Sequence, residues 1–356
     1  MDNALIISLN FNPGHVSHLI ASYKQFEDIG YRSVYFVNDR FVFYLPKGSN
    51  IAIHRKDKVN SAKIAVFLFP SQYNLTEIIK LKLRFKGCKV IYIFHEPMES
   101  LMIYHKSGFT ARKLIKSITI DLINSLVVWL SDIILLPSNK ALQLYSKRKY
   151  YLNKSCYYIP LMFDDESKDE NLSQNRNYFS YIGTIAADHS FNEFFNFIEW
   201  AISNSKLIDL NFLIATKSQL TKNDRLKKML SSGRLILIEG RPLTNYEINE
   251  CYSLSYVVWN AYIRTTQSGV LAKSFMFGTP LIILKKNISE FTTDGHEVVT
   301  ITDNRSFEQI ENAVQTILSD FSNFSKNCRH RFLKTFYYKN YNQLIQKIIS
   351  RPLKNV

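Results

Sequence analysis

The sequence predicts an α/β protein of two doubly wound parallel-sheet domains. Three observations predict it. Short apolar strands alternate with stretches of helical periodicity along nearly the whole chain. The alternation is interrupted once, by a polar, aperiodic stretch at 164–177, and then begins again. The length, 356 residues, suits two domains with ample core.

The elements read as follows. Residues 5–9 form an apolar strand, and 10–14 (Asn-Phe-Asn-Pro-Gly) form a turn. Residues 15–29 form a helix with Leu19, Tyr23 and Phe26 at helical spacing, ended by Gly30. Strands follow at 31–38, 64–68 and 90–94, the last running into His95-Glu96-Pro97. The apolar region 115–136 carries Lys116, Asp121, Asn124 and Asp132, which a membrane span would avoid. It reads as a buried helix followed by a strand at 132–136. Ser138 is then placed to cap a helix over 140–146. Ile159-Pro160 closes the first half.

The second half opens with a strand at 178–182 ending in Gly183. A helix at 191–202, strands at 210–215 and 235–239, and a helix at 246–253 follow. Next comes the stretch on which the reading turns. A buried strand at 256–261 leads through Thr266-Gln267-Ser268-Gly269 into a helix bearing Val270, Leu271, Phe275 and Met276. Gly278-Thr279-Pro280 stops that helix before a strand at 281–284. A surface helix is expected over 303–320 and an amphipathic one over 340–349. The expected domains are 1–165, 166–335 and a terminal helical segment, 336–356, packing back on the first.

Candidate binding residues sit where strands end, the edge at which open α/β sheets hold ligands. A helix N-terminus suits a phosphate, so the turn at Gln267, Ser268, Gly269 and Val270 is the leading candidate. Gly183 and Thr184 offer a second backbone approach, and Arg264 and Lys273 flank the main turn as possible diphosphate partners. The competing reading of both cations is ordinary surface charge. Glu290 follows the 281–284 strand as a candidate for sugar hydroxyls. In the first half, Gly14 and His18 lie in and after the first loop, and His95 and Glu96 stand at a strand end as candidate catalytic groups. A turn glycine, a satisfied helix histidine and a solvated loop pair are the competing readings.

Composition narrows the partners. A net charge of +15 calls for an anionic one: phosphorylated substrates, anionic headgroups or nucleic acid. No zinc-finger or RNP-type motif appears. Cys88, Cys156, Cys251 and Cys328 are widely spaced without a C-x-x-C pair, which indicates a reducing compartment and no structural metal. The N-terminal residues do not read as a signal peptide. Basic stretches mixed with apolar and aromatic residues lie at 78–89, 105–116 and 145–154; they suit an anionic membrane surface, the competing reading being that they cover solvated helices.

These motifs resemble, in order, those of the GT-B glycosyltransferases of the family-4-like group, over nearly the whole chain. Gly14-x-x-x-His18, Phe94-His95, the run from Ser131 to Ser138, Ile159-Pro160, Tyr181-Ile182-Gly183, Thr266-Gln267-Ser268-Gly269-Val270 and Gly278-Thr279-Pro280 carry the resemblance. It implies two Rossmann-like domains facing a central cleft. It also implies transfer of a sugar from a nucleotide-diphosphate sugar to a glycan acceptor, without metal or cofactor and mostly with retention. The donor would bind the carboxyl domain and the acceptor the amino domain. A lipid-linked acceptor in bacterial surface polysaccharide assembly (O-antigen or capsule) and a cytoplasmic, membrane-peripheral location are the expectations, with no nucleic-acid partner. Many members carry two glutamates where this chain has Thr265 and Lys273, and a basic clamp where it has Thr184 and His189. A non-catalytic GT-B protein and a nucleotide-sugar epimerase are the alternatives.

Overall fold

The computed structural model describes residues 2–95, 97–106, 109–147, 155–167, 175–264 and 269–351. The chain divides into two compact units, residues up to 164 together with those from 336 onward, and residues 165–335.

The first unit is a seven-stranded parallel sheet in the order β3-β2-β1-β4-β5-β6-β7. Its strands are β1 (Asn3–Ser8), β2 (Arg32–Val37), β3 (Ile51–Ile53), β4 (Ile64–Phe67), β5 (Lys89–Ile93), β6 (Ile133–Leu136) and β7 (Ser155–Tyr158). Its helices are α1 (Val16–Asp28), α2 (Asn74–Arg84), α3 (Leu101–Lys106), α4 (Ala111–Leu130) and α5 (Asn139–Ser146). In-register pairing of Leu5 with Val34 and with Ala65 puts β1 at the sheet centre, where its side chains are buried on both faces. Gly30, at φ +94°, ends α1 in the left-handed region, and Ser138 caps α5 by accepting from the Ala141 N–H at 3.0 Å. The segment after 335 returns to this unit. Phe163 and Phe336 join through their backbones, Tyr338 Oη donates to Asp28 at 3.0 Å, and helix α12 (Asn342–Ser350) follows.

The second unit is a six-stranded parallel sheet in the order β10-β9-β8-β11-β12-β13. Its strands are β8 (Tyr178–Ile182), β9 (Asn211–Ala215), β10 (Leu235–Ile238), β11 (Ser255–Trp259), β12 (Leu281–Leu284) and β13 (Val298–Ile301). The helices are α6 (Phe191–Ser203), α7 (Asp224–Ser231), α8 (Asn245–Ser253), α9 (Gly269–Met276), α10 (Phe307–Ser319) and α11 (Phe321–Thr335). An aromatic cluster of Phe179, Phe194, Phe197, Phe212 and Trp259 fills one face of the sheet, with Phe179 and Phe194 edge to face at 5.0 Å. Gly278, at φ +62°, stops α9 where a Cβ would fall 2.6 Å from Ser325 Oγ, so no other residue fits without displacement.

Two expectations are corrected. The helix at 111–130 is not buried. Its inward side carries Asp121, Asn124, Val127 and Val128, and Asn124 accepts from Tyr92 Oη at 3.0 Å. Its large apolar residues Ile115, Leu122, Leu126 and Trp129 face outward. A polar pair inside inverts the usual amphipathic orientation, which high apolar content alone does not reveal. The polar stretch 164–177, which reads in the sequence as the linker between the domains, is not exposed throughout. Arg176 is buried, and its guanidinium donates to Ser255 O and Thr279 Oγ1 at 2.7 Å each, and to Phe277 O. Glu166 is likewise enclosed.

Candidate functional site

In each sheet the strand order reverses at one point, between β1 and β4 in the first unit and between β8 and β11 in the second. A parallel doubly wound sheet opens a crevice at such a point, beyond the carboxyl ends of the strands.

At the first crevice the loop after β1 is fixed by Asn12, whose side chain accepts from the Gly14 N–H at 3.2 Å. Pro13 starts a short 3₁₀ turn, and His15 ends it. Phe69 and His95 each lie two residues beyond their strands, β4 and β5. His15 stacks on Phe69 at 3.4 Å between ring centroids, and Phe69 stacks on His95 at 4.7 Å. His18 meets Phe163 at 4.3 Å and His95 at 6.4 Å. A small recess is lined by His18, Ser22, Leu68, His95, Pro160 and Met162.

Hydrogen bonding sets the tautomers. Carbonyls have no proton to give, so His95 donates from Nε2 to Leu68 O at 2.6 Å, and His18 donates from Nδ1 to Met162 O at 3.1 Å. Burial, reinforced by the neighbouring His18, pushes the His95 pKa down to about 3. His95 is therefore neutral at physiological pH, with Nδ1 as its acceptor. A group so weakly basic is a hydrogen-bonding partner rather than a general base. Glu96 lies outside the described residues.

At the second crevice Gly183 ends β8 at φ +147°, and its N–H donates to Ala215 O at 2.9 Å. The exposed Thr184 turns its carbonyl back to accept from Tyr181 Oη at 2.9 Å and His189 Nδ1 at 2.7 Å. His189 stacks on Tyr262, centroids 4.3 Å apart and planes 7° apart. The loop after β11 is tied to this one twice: the Ile263 N–H donates to Asp188 O at 2.8 Å, and Arg264 Nη1 faces Asp188 Oδ2 at 3.5 Å. From beyond β12, Asn287 Nδ2 donates to Tyr262 O at 2.5 Å. Loops following three strands are thus bound into one rim.

The remaining predicted residues divide. Gly269 and Val270 begin α9 and are half-buried at its N-terminus, while Gln267 and Ser268 lie outside the described residues. Arg264 and Lys273 are both buried, so neither is ordinary surface charge. Lys273 Nζ donates to Glu166 Oε2 and to Asn245 Oδ1, each at 2.9 Å. Burial alone would raise the Glu166 pKa. The Lys273 charge and hydrogen bonds from Asn249, Lys273 and Asn245 outweigh it and hold the carboxyl below its usual range. Glu290 is exposed, six residues past β12. His15, Phe69, Tyr262 and Asn287 were not anticipated. For Phe69 a signal existed, since it occupies the same offset from its strand as His95.

Solved structures share this architecture. Sucrose-phosphate synthase from Thermosynechococcus elongatus superposes at TM-score 0.70 with 13% identity, covering 98% of each chain. Anabaena HepE in complex with UDP and glucose gives 0.68 with 10% identity over 98% of this chain and all of that one. The chain has the GT-B fold. A glycosyltransferase from Rickettsia africae matches at 0.67 and 12% identity, over 100% of this chain and 99% of that one. No protein-family model matches the sequence, and no curated protein does.

Proposed function

We propose that the protein is a glycosyltransferase that moves a sugar from a nucleotide-diphosphate sugar to a glycan acceptor. The observation that carries the proposal is the rim at the second switch point, where the loop after Gly183 and the loop bearing Arg264 are bound to one another, with α9 next in sequence after the Arg264 loop. Backbone N–H groups and the partial positive charge of a helix N-terminus suit a diphosphate. Nucleotide ligands in structural neighbours support the same reading, HepE being bound to UDP-glucose and to UDP with glucose.

Electrostatics shape how the leaving group would be held. Arg264 already faces Asp188, and Lys273 is held by Glu166. The diphosphate would therefore rely on the α9 N-terminus, the Gly183 loop and an Arg264 drawn from Asp188, without metal. Retention suits such a site, because it depends on a firmly held leaving phosphate more than on a strong base. His95, being neutral, would accept a hydrogen bond from the sugar. Under inversion, Glu96 would be the base. We place the acceptor on the amino-unit side near His18. We take it to be lipid-linked, within bacterial surface polysaccharide assembly, with the protein peripheral on the inner face of the plasma membrane.

The second reading is a non-catalytic GT-B protein that binds a nucleotide or a partner enzyme. It is favoured by Lys273 standing in a buried ion pair at a position where the resembled family often has a glutamate. A thermal-shift panel of nucleotide sugars tests donor binding, since a ligand of the native state raises Tm. The transferase reading expects one nucleoside diphosphate and its sugar to stabilise the protein. No shift with any of them at millimolar concentration overturns it.

A further inference from the structure

Helix α4 presents an apolar ridge to solvent. Ile115, Ile118, Leu122, Leu126 and Trp129 recur at helical spacing along its 20 residues, a ridge about 20 Å long. Ile115, Leu122 and Trp129 are 66%, 63% and 64% exposed. Helices α2 and α3 pack beside α4 and extend the patch with Ile79, the 83% exposed Leu83, Leu101 and Met102. Contiguous exposed apolar surface of this kind marks an interaction site. Among the described residues no helix is long and apolar enough to cross a membrane.

Among the described residues, the exposed charge on α2, α3 and α4 has one sign. The only acids of α2 and α4, Glu77 and Asp121, are buried, and Glu77 is held by Lys80 at 2.7 Å. Glu99, just before α3, is buried against Lys140 at 2.8 Å, and α3 itself contains no acid. Exposed around the patch are Arg84, Arg112, Lys113 and Lys116. Trp129 closes the far end of the ridge with an amphipathic ring.

We infer that the outer face of α4, with the neighbouring turns of α2 and α3, docks on an anionic lipid bilayer. The ridge enters the headgroup–acyl boundary while the basic residues pair with lipid phosphates. A second copy of the chain is disfavoured as the occupant, because it would bring a matching ring of positive charge against this one. The inference deepens the peripheral location proposed above by naming its surface. It does not depend on the transferase reading, since the test contains neither donor nor acceptor.

The test is co-sedimentation of the full chain with phosphatidylglycerol–phosphatidylcholine vesicles and with pure phosphatidylcholine vesicles, alongside the Trp129 emission. Binding to the anionic vesicles only, weakening as salt rises, is expected, with a blue shift that disappears in Trp129→Phe. Leu122→Glu with Leu126→Glu should abolish binding while leaving Tm unchanged, because both side chains are exposed. Arg112→Ala with Lys113→Ala and Lys116→Ala should weaken partitioning about a hundredfold, roughly fivefold per charge. Absence of binding to anionic vesicles at low salt, or unchanged binding by the double Leu variant, would overturn the inference. A concentration-dependent dimer in light scattering that the same variant abolishes would overturn it too, by assigning the ridge to a second copy.

Discussion

Lys273→Met removes the one cation that, among the described residues, is bonded to the nearly enclosed carboxylate of Glu166. Glu166 Oε2 accepts from Lys273 and from Asn249 at 2.9 Å each, and from Asn245, while Oε1 is buried with no hydrogen-bond partner among the described residues. Both side chains are well shielded from water, 6% and 11% exposed, so solvent screening is small. Breaking a buried pair from one side costs about 3–5 kcal/mol, because the remaining charge is stranded. For a unit the size of 165–335 that corresponds to a fall in Tm of roughly 6–20 °C. The pH dependence should change sign as well. In the native protein the Glu166 pKa is lowered on folding, so its contribution is present above the ordinary carboxylate range and is lost as pH falls through the folded value. In Lys273→Met, burial, the largest influence, is opposed only by the Asn249 and Asn245 hydrogen bonds and raises that pKa. The folded variant then binds a proton more readily than the unfolded chain and regains stability as pH falls. Glu166→Gln added to Lys273→Met should recover most of the loss, since no charge is left buried. Calorimetric and urea unfolding of the three variants between pH 4.5 and 8 measure this. A loss under about 1 kcal/mol for Lys273→Met, with the native pH slope retained, would refute the reasoning.

Four further outcomes are expected. His95→Ala should lower turnover more than nucleotide affinity in single-turnover and titration measurements. Because the folded pKa of His95 is about 3, below that of an unfolded histidine, the native protein should lose stability as pH falls from about 6.5 towards 3. His95→Phe should flatten that part of the unfolding profile. Gly269→Val should weaken binding of the nucleotide sugar by roughly tenfold, about 1.4 kcal/mol by calorimetric titration, with Tm little changed; equal affinities would remove Gly269 from the site. Arg176→Lys keeps the charge but loses the fork that reaches Ser255, Phe277 and Thr279, and should cost about 2–4 kcal/mol of unfolding free energy by urea titration.

The parallel core strands were legible because they are short and apolar on both faces, as β1, β4, β5, β8, β11 and β12 are, and most are ended by Gly or a polar turn. Strand β3 has three residues and the edge strand β7 is half-exposed, so neither leaves a pattern. Helix α2 was hidden by alternation in IIKLKL, which has the period of a strand. Helix α11 buries only Phe324, Cys328 and Phe332 in a polar stretch. At the sites, sequence order brought His18 and His95 into view but not their partners. The stacking of Phe69 between His15 and His95 joins residues from three separate loops. The Glu166–Lys273 pair spans 107 positions, and a buried cation looks like any surface lysine in a linear reading. The inward Asp121 and Asn124 of α4 decide which face of that helix is wet, and only their packing against the sheet shows it.

The central claim is sugar transfer, and acceptor-dependent release of free nucleotide tests it most directly. The full chain is incubated with each nucleotide-diphosphate sugar, with and without lipid-linked glycan, and the freed nucleotide is quantified. One donor is expected to release nucleotide many times faster with acceptor present, and Gly269→Val is expected to reduce that rate. A donor that binds tightly yet releases nucleotide no faster with any acceptor than without would contradict the transferase reading and support a non-catalytic GT-B protein.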